Sequence, residues 1–286
     1  LDKLLERLTA PDAHTRDAAR TSIAEVTPSM VAAVRTRLLE IRGSIDRKEA
    51  QGLLDDARKA GRKAMKGKDK GEAKPAKKKA AAKDEGDDDG DWLEFVLANA
   101  RPKNDSWRDL VKLLAMERIL TNVGTTPAVR ELLQMYSYFG ELLRIDLARQ
   151  VNKLRDKAVP ALIEARQHDA KIVQRFAVKE LDLLGRTIPG EAVGVTDPQV
   201  LADILRAYGR TRDVDAVRVV LSFCNSERIN LREAARESIT AIGEPGIWQL
   251  RDAYLNQTGN KAPREFTWDR IARELFGMYD RARLAE

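Results

Sequence analysis

The sequence predicts an all-α protein, and three observations carry that reading. Apolar residues recur at helical spacing, so Leu1, Leu4, Leu5 and Leu8 share one face of LDKLLERL. Met30, Val31, Val34, Leu38 and Ile41 do the same in PSMVAAVRTRLLEI. The strict alternation of β-branched and aromatic residues that marks a strand is absent over any useful length. Composition agrees: 34% of the 286 residues are charged and only 5% aromatic, which suits solvated helix faces around a core of Leu, Ile, Val and Ala.

Turn signals separate the helical runs: TAPD at 9–12, VGTTP at 123–127, LGRTIPGE at 184–191 and IGEPG at 242–246. Proline is tolerated in the first turn of a helix because its missing N–H has no partner there, so Pro28, Pro127, Pro160 and Pro245 read as helix openers. One stretch breaks the pattern. Residues 63–91, KAMKGKDKGEAKPAKKKAAAKDEGDDDGD, run from a lysine block into an aspartate block, with Met65 the lone large apolar side chain. Such a segment cannot bury enough surface to offset its ordering entropy and is expected to be a disordered loop. From Lys59 to Asp91 there are eleven Lys/Arg and eight Asp/Glu, so this stretch holds half of the net charge of +6. The remaining surface is mixed, which argues against a DNA-binding face spread over the whole domain. The expected organisation is an ordered region at 1–62, the insertion at 63–91 and a second ordered region at 92–286, the two ordered parts forming one continuous body.

A self-similar pattern runs through the helices: a long polar residue, a small one three places on, and a large aliphatic four beyond that. Arg16, Ala19 and Ile23 fit it, as do Arg47, Ala50 and Leu54; Lys112, Ala115 and Ile119; Gln174, Ala177 and Leu181; and Arg232, Ala235 and Ile239. The three positions share a helix face, so the alanine admits a neighbouring helix and the aliphatic fills the space beyond. Several copies are followed by a Pro-led helix, as in VGTTPAVRELL and IGEPGIWQL. In these features the chain resembles the HEAT-repeat family. LTAPDAHTRDAARTSIAEV resembles an inter-helix turn and second helix of such a repeat, with Asp12 at the turn and Arg16 after it. KAVPALIEARQHDAKIVQRFAVKELDLLG resembles a nearly whole repeat, and SERINLREAARESITAIGEPGIWQL a second helix leading into the next. The match covers residues 1–42 and 157–258, with 92–156 fitting loosely. Arg175 stands one place beyond the family's arginine, and the last copy lacks the turn aspartate. The resemblance implies antiparallel helix pairs stacked into a curved right-handed superhelix, an α-solenoid in which each pair buries its apolar face on its neighbours. It also implies a protein-binding or scaffolding role.

Candidate chemistry is sparse. His14 and His168 sit in similar turn contexts, PDAHT and RQHDA, and read as solvated or helix-start residues. Two histidines and one cysteine make no zinc site, and no H-E-x-x-H or C-x-x-C spacing occurs. Cys224, among VVLSFC, reads as a buried, inert thiol. Asp12 and Asp169 read as helix caps. Trp107, Trp248, Trp268, Tyr136 and Tyr138 lie beside aliphatics at helical spacing and read as core. No catalytic, cofactor-binding or metal-binding residue is assigned, and no run approaches the ~18 apolar residues of a membrane span. The expected function is therefore a non-enzymatic scaffold or adaptor that binds another protein. The alternative is a nucleic-acid-binding module, including a DNA-glycosylase-type enzyme, which would need aromatics and a carboxylate converging on a basic concave face. The start at Leu1 and the helical pattern of TWDRIARELFGMYDRARLAE suggest a piece of a longer chain. The compartment stays unassigned, with the cytoplasm preferred over a periplasmic or exported location.

Overall fold

The structure, a computed structural model, describes residues 1–68 and 90–285, and these are helical without a strand. The expected disordered loop falls largely at 69–89, outside the described residues. Its margins are ordered: residues 63–68 continue a helix, and Gly90 and Asp91 are held in place before the next one. The chain divides into two compact units, Leu1–Leu154 and Arg155–Glu286, so the division falls inside the region expected to run from 92 to 286.

Unit 1 comprises α1 (Asp2–Leu8), α2 (Ala13–Thr21), α3 (Met30–Ser44), α4 (Arg47–Lys68), α5 (Trp92–Ala98), α6 (Asp105–Val123) and α7 (Thr126–Leu154). Its centre is α6, which packs against α1, α3, α4, α5 and α7. A helix surrounded in this way must be buried on every side, and every residue of α6 from Leu113 to Leu120 is. The run RELLQMYSYFGELLRIDLARQVNKL, which reads as one helix, is broken at Phe139, where the backbone leaves helical geometry (φ −127°, ψ 15°) next to Gly140. A glycine at such a point is a common cause of a sharp helix kink.

Unit 2 contains α8 (Val159–Ala165), α9 (Lys171–Leu183), α10 (Pro189–Ala192), α11 (Pro198–Thr211), α12 (Val217–Ser222), α13 (Ile229–Ile242), α14 (Ile247–Thr258) and α15 (Trp268–Ala285). Here packing follows chain order. α11 lies against α8 and α13, and α13 against α15; α12 packs on α13 and α14, and α14 on α15. Positive-φ residues at Arg155, Gly185, Arg212 and Gly243 (φ 48°, 63°, 50° and 66°) are spaced by about 30 residues, within the roughly 20–50-residue range of structural repeats, and another follows sooner at Gly259 (φ 72°). At Arg155, Arg212 and Gly243 this turn leads into a short 3₁₀ segment and then α8, α12 or α14. Arginine pays for a left-handed backbone with about 1–2 kcal/mol, so packing fixes these turns.

The alanines of the sequence pattern, Ala19, Ala50, Ala115, Ala177 and Ala235, are all fully buried, and the aliphatic after each is buried too. The polar residue ahead of them has a use that spacing alone does not reveal. Arg16 donates from Nη1 to the Ala10 carbonyl (2.7 Å), Gln174 from Nε2 to His168 (2.6 Å) and Arg232 from Nη1 to Ser226 (2.7 Å). In each case the side chain closes onto the carbonyl six residues back and ties the turn to the helix it opens. Arg47 makes a different contact, stacking over the Phe139 ring at 5.7 Å. Leucine at position 235 has no room to enter, so Ala235→Leu is expected to destabilise unit 2 by roughly 1–3 kcal/mol through overpacking. Urea denaturation checks this, and an unchanged midpoint would mean that the residue does not face a packed helix.

Candidate interaction surface and buried polar cluster

The side chains singled out in the sequence separate into three settings. Trp107 and Tyr136 are core residues, and Trp107 donates from Nε1 to the Val96 carbonyl at 3.1 Å. Tyr138 is half-buried under the Arg42 guanidinium, 4.2 Å from its centroid, and Trp268 is half-buried. Trp248 departs from expectation: it is 75% exposed. Its neighbours in IWQL suggest core, but helix phase turns Leu250 inward and leaves the indole outside.

The two histidines are not equivalent. His14 is exposed within α2, whereas His168 is half-buried and its Nδ1 accepts from the Ala170 amide at 3.0 Å. Asp12 caps α2 as expected, accepting from the Thr15 amide and hydroxyl, both at 2.8 Å. Asp169 does not cap α9; the N-cap position is Ala170, without a side-chain bond, and His168 organises the turn instead. Cys224 is fully buried, its thiol pushed up to about 12 by burial. Its carbonyl accepts from Arg236 Nη2 at 3.0 Å, and the same guanidinium grips Asp280 of α15 at 2.8 and 3.0 Å.

The outward-facing candidate lies on α14. Trp248 and Leu255, seven residues apart, stand on one helix face, and Leu255 also lines a groove of about 530 Å³ with Arg218, Leu221, Gln249, Asn256 and Tyr279. Gln249 lines this groove as well, while its Oε1 is buried and has no hydrogen-bond donor among the described residues.

The inward-facing candidate was not singled out from the sequence. Glu117 and Arg118 of α6, Asp146 and Gln150 of α7, and Asp91 ahead of α5 form a polar cluster in unit 1. Glu117, Asp146 and Gln150 are fully buried. Arg118 reaches Asp91 from Nη2 and Nε (3.0 and 3.2 Å) and lies 3.2 Å from Asp146 through Nη2. Arg149 lies 3.5 Å from Asp146 and donates to the Gly90 carbonyl. Burial and the neighbouring Asp146 push the Glu117 carboxyl well above the ordinary range. Burial pushes Asp91 upward as well, but the hydrogen bonds and charge of Arg118 outweigh it and hold this carboxyl low. Two carboxyls with unlike preferences, Glu117 and Asp91, could serve acid–base chemistry, yet Glu117 is sealed from any substrate. Among the described residues no group of three or more His, Cys, Asp or Glu is placed to hold a metal ion, and no helix is long and apolar enough to cross a membrane.

No family model, curated protein or solved structure matches this chain.

The thiolate is the reactive form of cysteine, so Cys224 is expected to resist a water-soluble alkylating reagent at neutral pH until the protein is denatured. Labelling of the native protein as fast as free cysteine, followed by mass spectrometry, would contradict its sealed position.

Proposed function

We propose that this chain is a non-enzymatic scaffold that binds another protein, and that unit 2 carries the recognition surface on a HEAT-like stack of helix pairs. The observation that carries the proposal is Trp248, an indole 75% exposed on the same helix face as Leu255, which lines a groove. Large aromatics dominate the energetics of protein interfaces, and an exposed indole on one helix face with a second exposed apolar side chain fits that use better than it fits the core.

The stacking part of the proposal is supported by the recurring left-handed turn, the shared carbonyl clasp and the links between successive helices. Arg210 pairs with Glu164 of α8 (2.7 Å), Arg206 with Glu237 of α13 (2.8 Å), Arg218 with Asp252 of α14 (3.0 Å) and Arg236 with Asp280 of α15 (2.8 Å). Exposed pairs of this kind contribute only about 0.2–1 kcal/mol each, so their significance is positional: packed neighbours share a cross-link. They also engage arginines that a nucleic-acid-binding surface would direct at phosphates, which weighs against that alternative.

Trp248→Ala is the test. With the indole in solvent, the substitution should leave the melting temperature unchanged. It should raise the Kd for a partner captured by the wild-type protein about 30-fold, the equivalent of about 2 kcal/mol. Equal affinity of the two proteins for that partner would reject the surface, and tight, salt-sensitive binding of duplex DNA by unit 2 would favour the alternative.

A further inference from the structure

Arg118 occupies a divided position in the buried cluster. Outward it grips Asp91 through Nε and Nη2, and inward it meets Asp146 through Nη2 alone. Its buried Nη1 makes no hydrogen bond among the described residues, and neither oxygen of Glu117 receives one there. The same buried cluster therefore holds a guanidinium with an unused donor and a carboxyl with two unused acceptors. Asp91 has a second task. Its Oδ1 accepts from the Leu93 and Glu94 amides (2.9 and 3.3 Å) and caps α5, so whatever holds Asp91 also holds the start of that helix. The junction is closely fitted: Gly90 is left-handed (φ 62°), and a Cβ there would stand 2.3 Å from the Phe95 ring.

We propose that Glu117 is a proton-operated latch: while its buried carboxyl holds a proton Arg118 clamps Asp91, and when that proton leaves to water Arg118 turns inward to the new charge and frees the cap of α5. A fully buried Glu117 carboxylate near Asp146 is costly to form without a counter-charge. Arg118 and Arg149 approach Asp146 directly, and Arg149 is already shared between Asp146 and the Gly90 carbonyl. Other charged groups on the packed elements have partners of their own, except that Lys153 of α7 bears on the same Asp91. Glu131, on the first half of α7, accepts from Arg35 Nε of α3 at 2.8 Å; Arg58 of α4 stacks over Trp92 at 4.5 Å; and Arg20 of α2 pairs with Glu94 of α5. The 3₁₀ segment Ser22–Ala24 brings no charge.

The direction of the pH effect follows. The Glu117 carboxyl is raised in the folded state, so its contribution to stability is whole below the ordinary value of 4.5 and is lost as the pH rises through the folded value. Alkaline solution therefore opens the latch.

Amide hydrogen exchange at Leu93 and Glu94 tests it, in the full chain, from mildly acidic to mildly alkaline solution. After correction for the intrinsic base-catalysed rate, wild-type protection is expected to fall about tenfold, the equivalent of one unit of proton linkage. Glu117→Gln, which cannot ionise, should keep protection constant. Asp91→Asn should lose it on both sides of the range. The same pH-dependent fall in Glu117→Gln, or full protection in Asp91→Asn, would overturn the latch. A carboxyl-carbon NMR titration of the wild-type protein stands independently of either variant's folding: Glu117 should titrate well above the ordinary carboxylate range, and titration within that range would equally overturn the proposal.

Discussion

A Cβ placed on Gly209 would stand 2.7 Å from the Ser238 Cα, so α11 and α13 approach almost backbone to backbone. Ser238 uses the proximity by donating from Oγ to the Leu205 carbonyl at 2.7 Å, while also bonding the Ala234 carbonyl of its own helix. Ala234 and Ala235 continue the small surface of α13, and Ala202 and Ala207 of α11 are fully buried. Much of unit 2 hangs on this contact. α11 also carries α8, and α13 carries α12 and α15, so the central pair sets the spacing of the helices on either side. Helices of this length are marginal alone and gain their stability from tertiary packing. The arginine–carboxylate pairs and carbonyl clasps then fix orientation around a spacing already set by small residues.

Much of this was legible in the sequence, because burial on a helix follows a fixed period. The positions of Ala19, Ala177 and Ala235 could be read from spacing, and so could the need for a polar residue three places ahead. What that residue does could not, since the clasp depends on how the preceding turn folds back. Gly185 and Gly243 announced their turns. Arg155 and Arg212 did not, because nothing in arginine calls for a positive φ; packing imposes it. The break at Phe139 was hidden by a hydrophobic run that continues on both sides of it. Glu117 and Arg118 look like an ordinary charged pair on a helix. The available signal was that KLLAMERIL places them between apolar residues on every side, which is the composition of a helix with no outer face.

The two units differ in their buried charges. Unit 1 carries exposed ion pairs such as Arg37–Asp2 and also encloses a charged cluster around α6, where desolvation makes each partner matter. A carboxyl sealed there can respond to pH but cannot reach a substrate. In unit 2 the ion pairs that link successive helices lie nearer the surface, although Glu180 of α9 is buried. On the proposed reading, recognition belongs to unit 2 and control to unit 1.

The central claim, that close approach of small residues sets the spacing of unit 2, is tested most directly by comparing equilibrium unfolding of Gly209→Ala with that of Gly190→Ala. Both substitutions add one methyl group to a helical glycine. At Gly190 nothing lies within 4 Å of the new atom, so the change should be neutral or slightly stabilising, by up to about 1 kcal/mol. At Gly209 the new atom meets backbone that cannot move aside cheaply, and the account predicts a loss of roughly 1–3 kcal/mol. A Gly209→Ala protein no less stable than Gly190→Ala would contradict it.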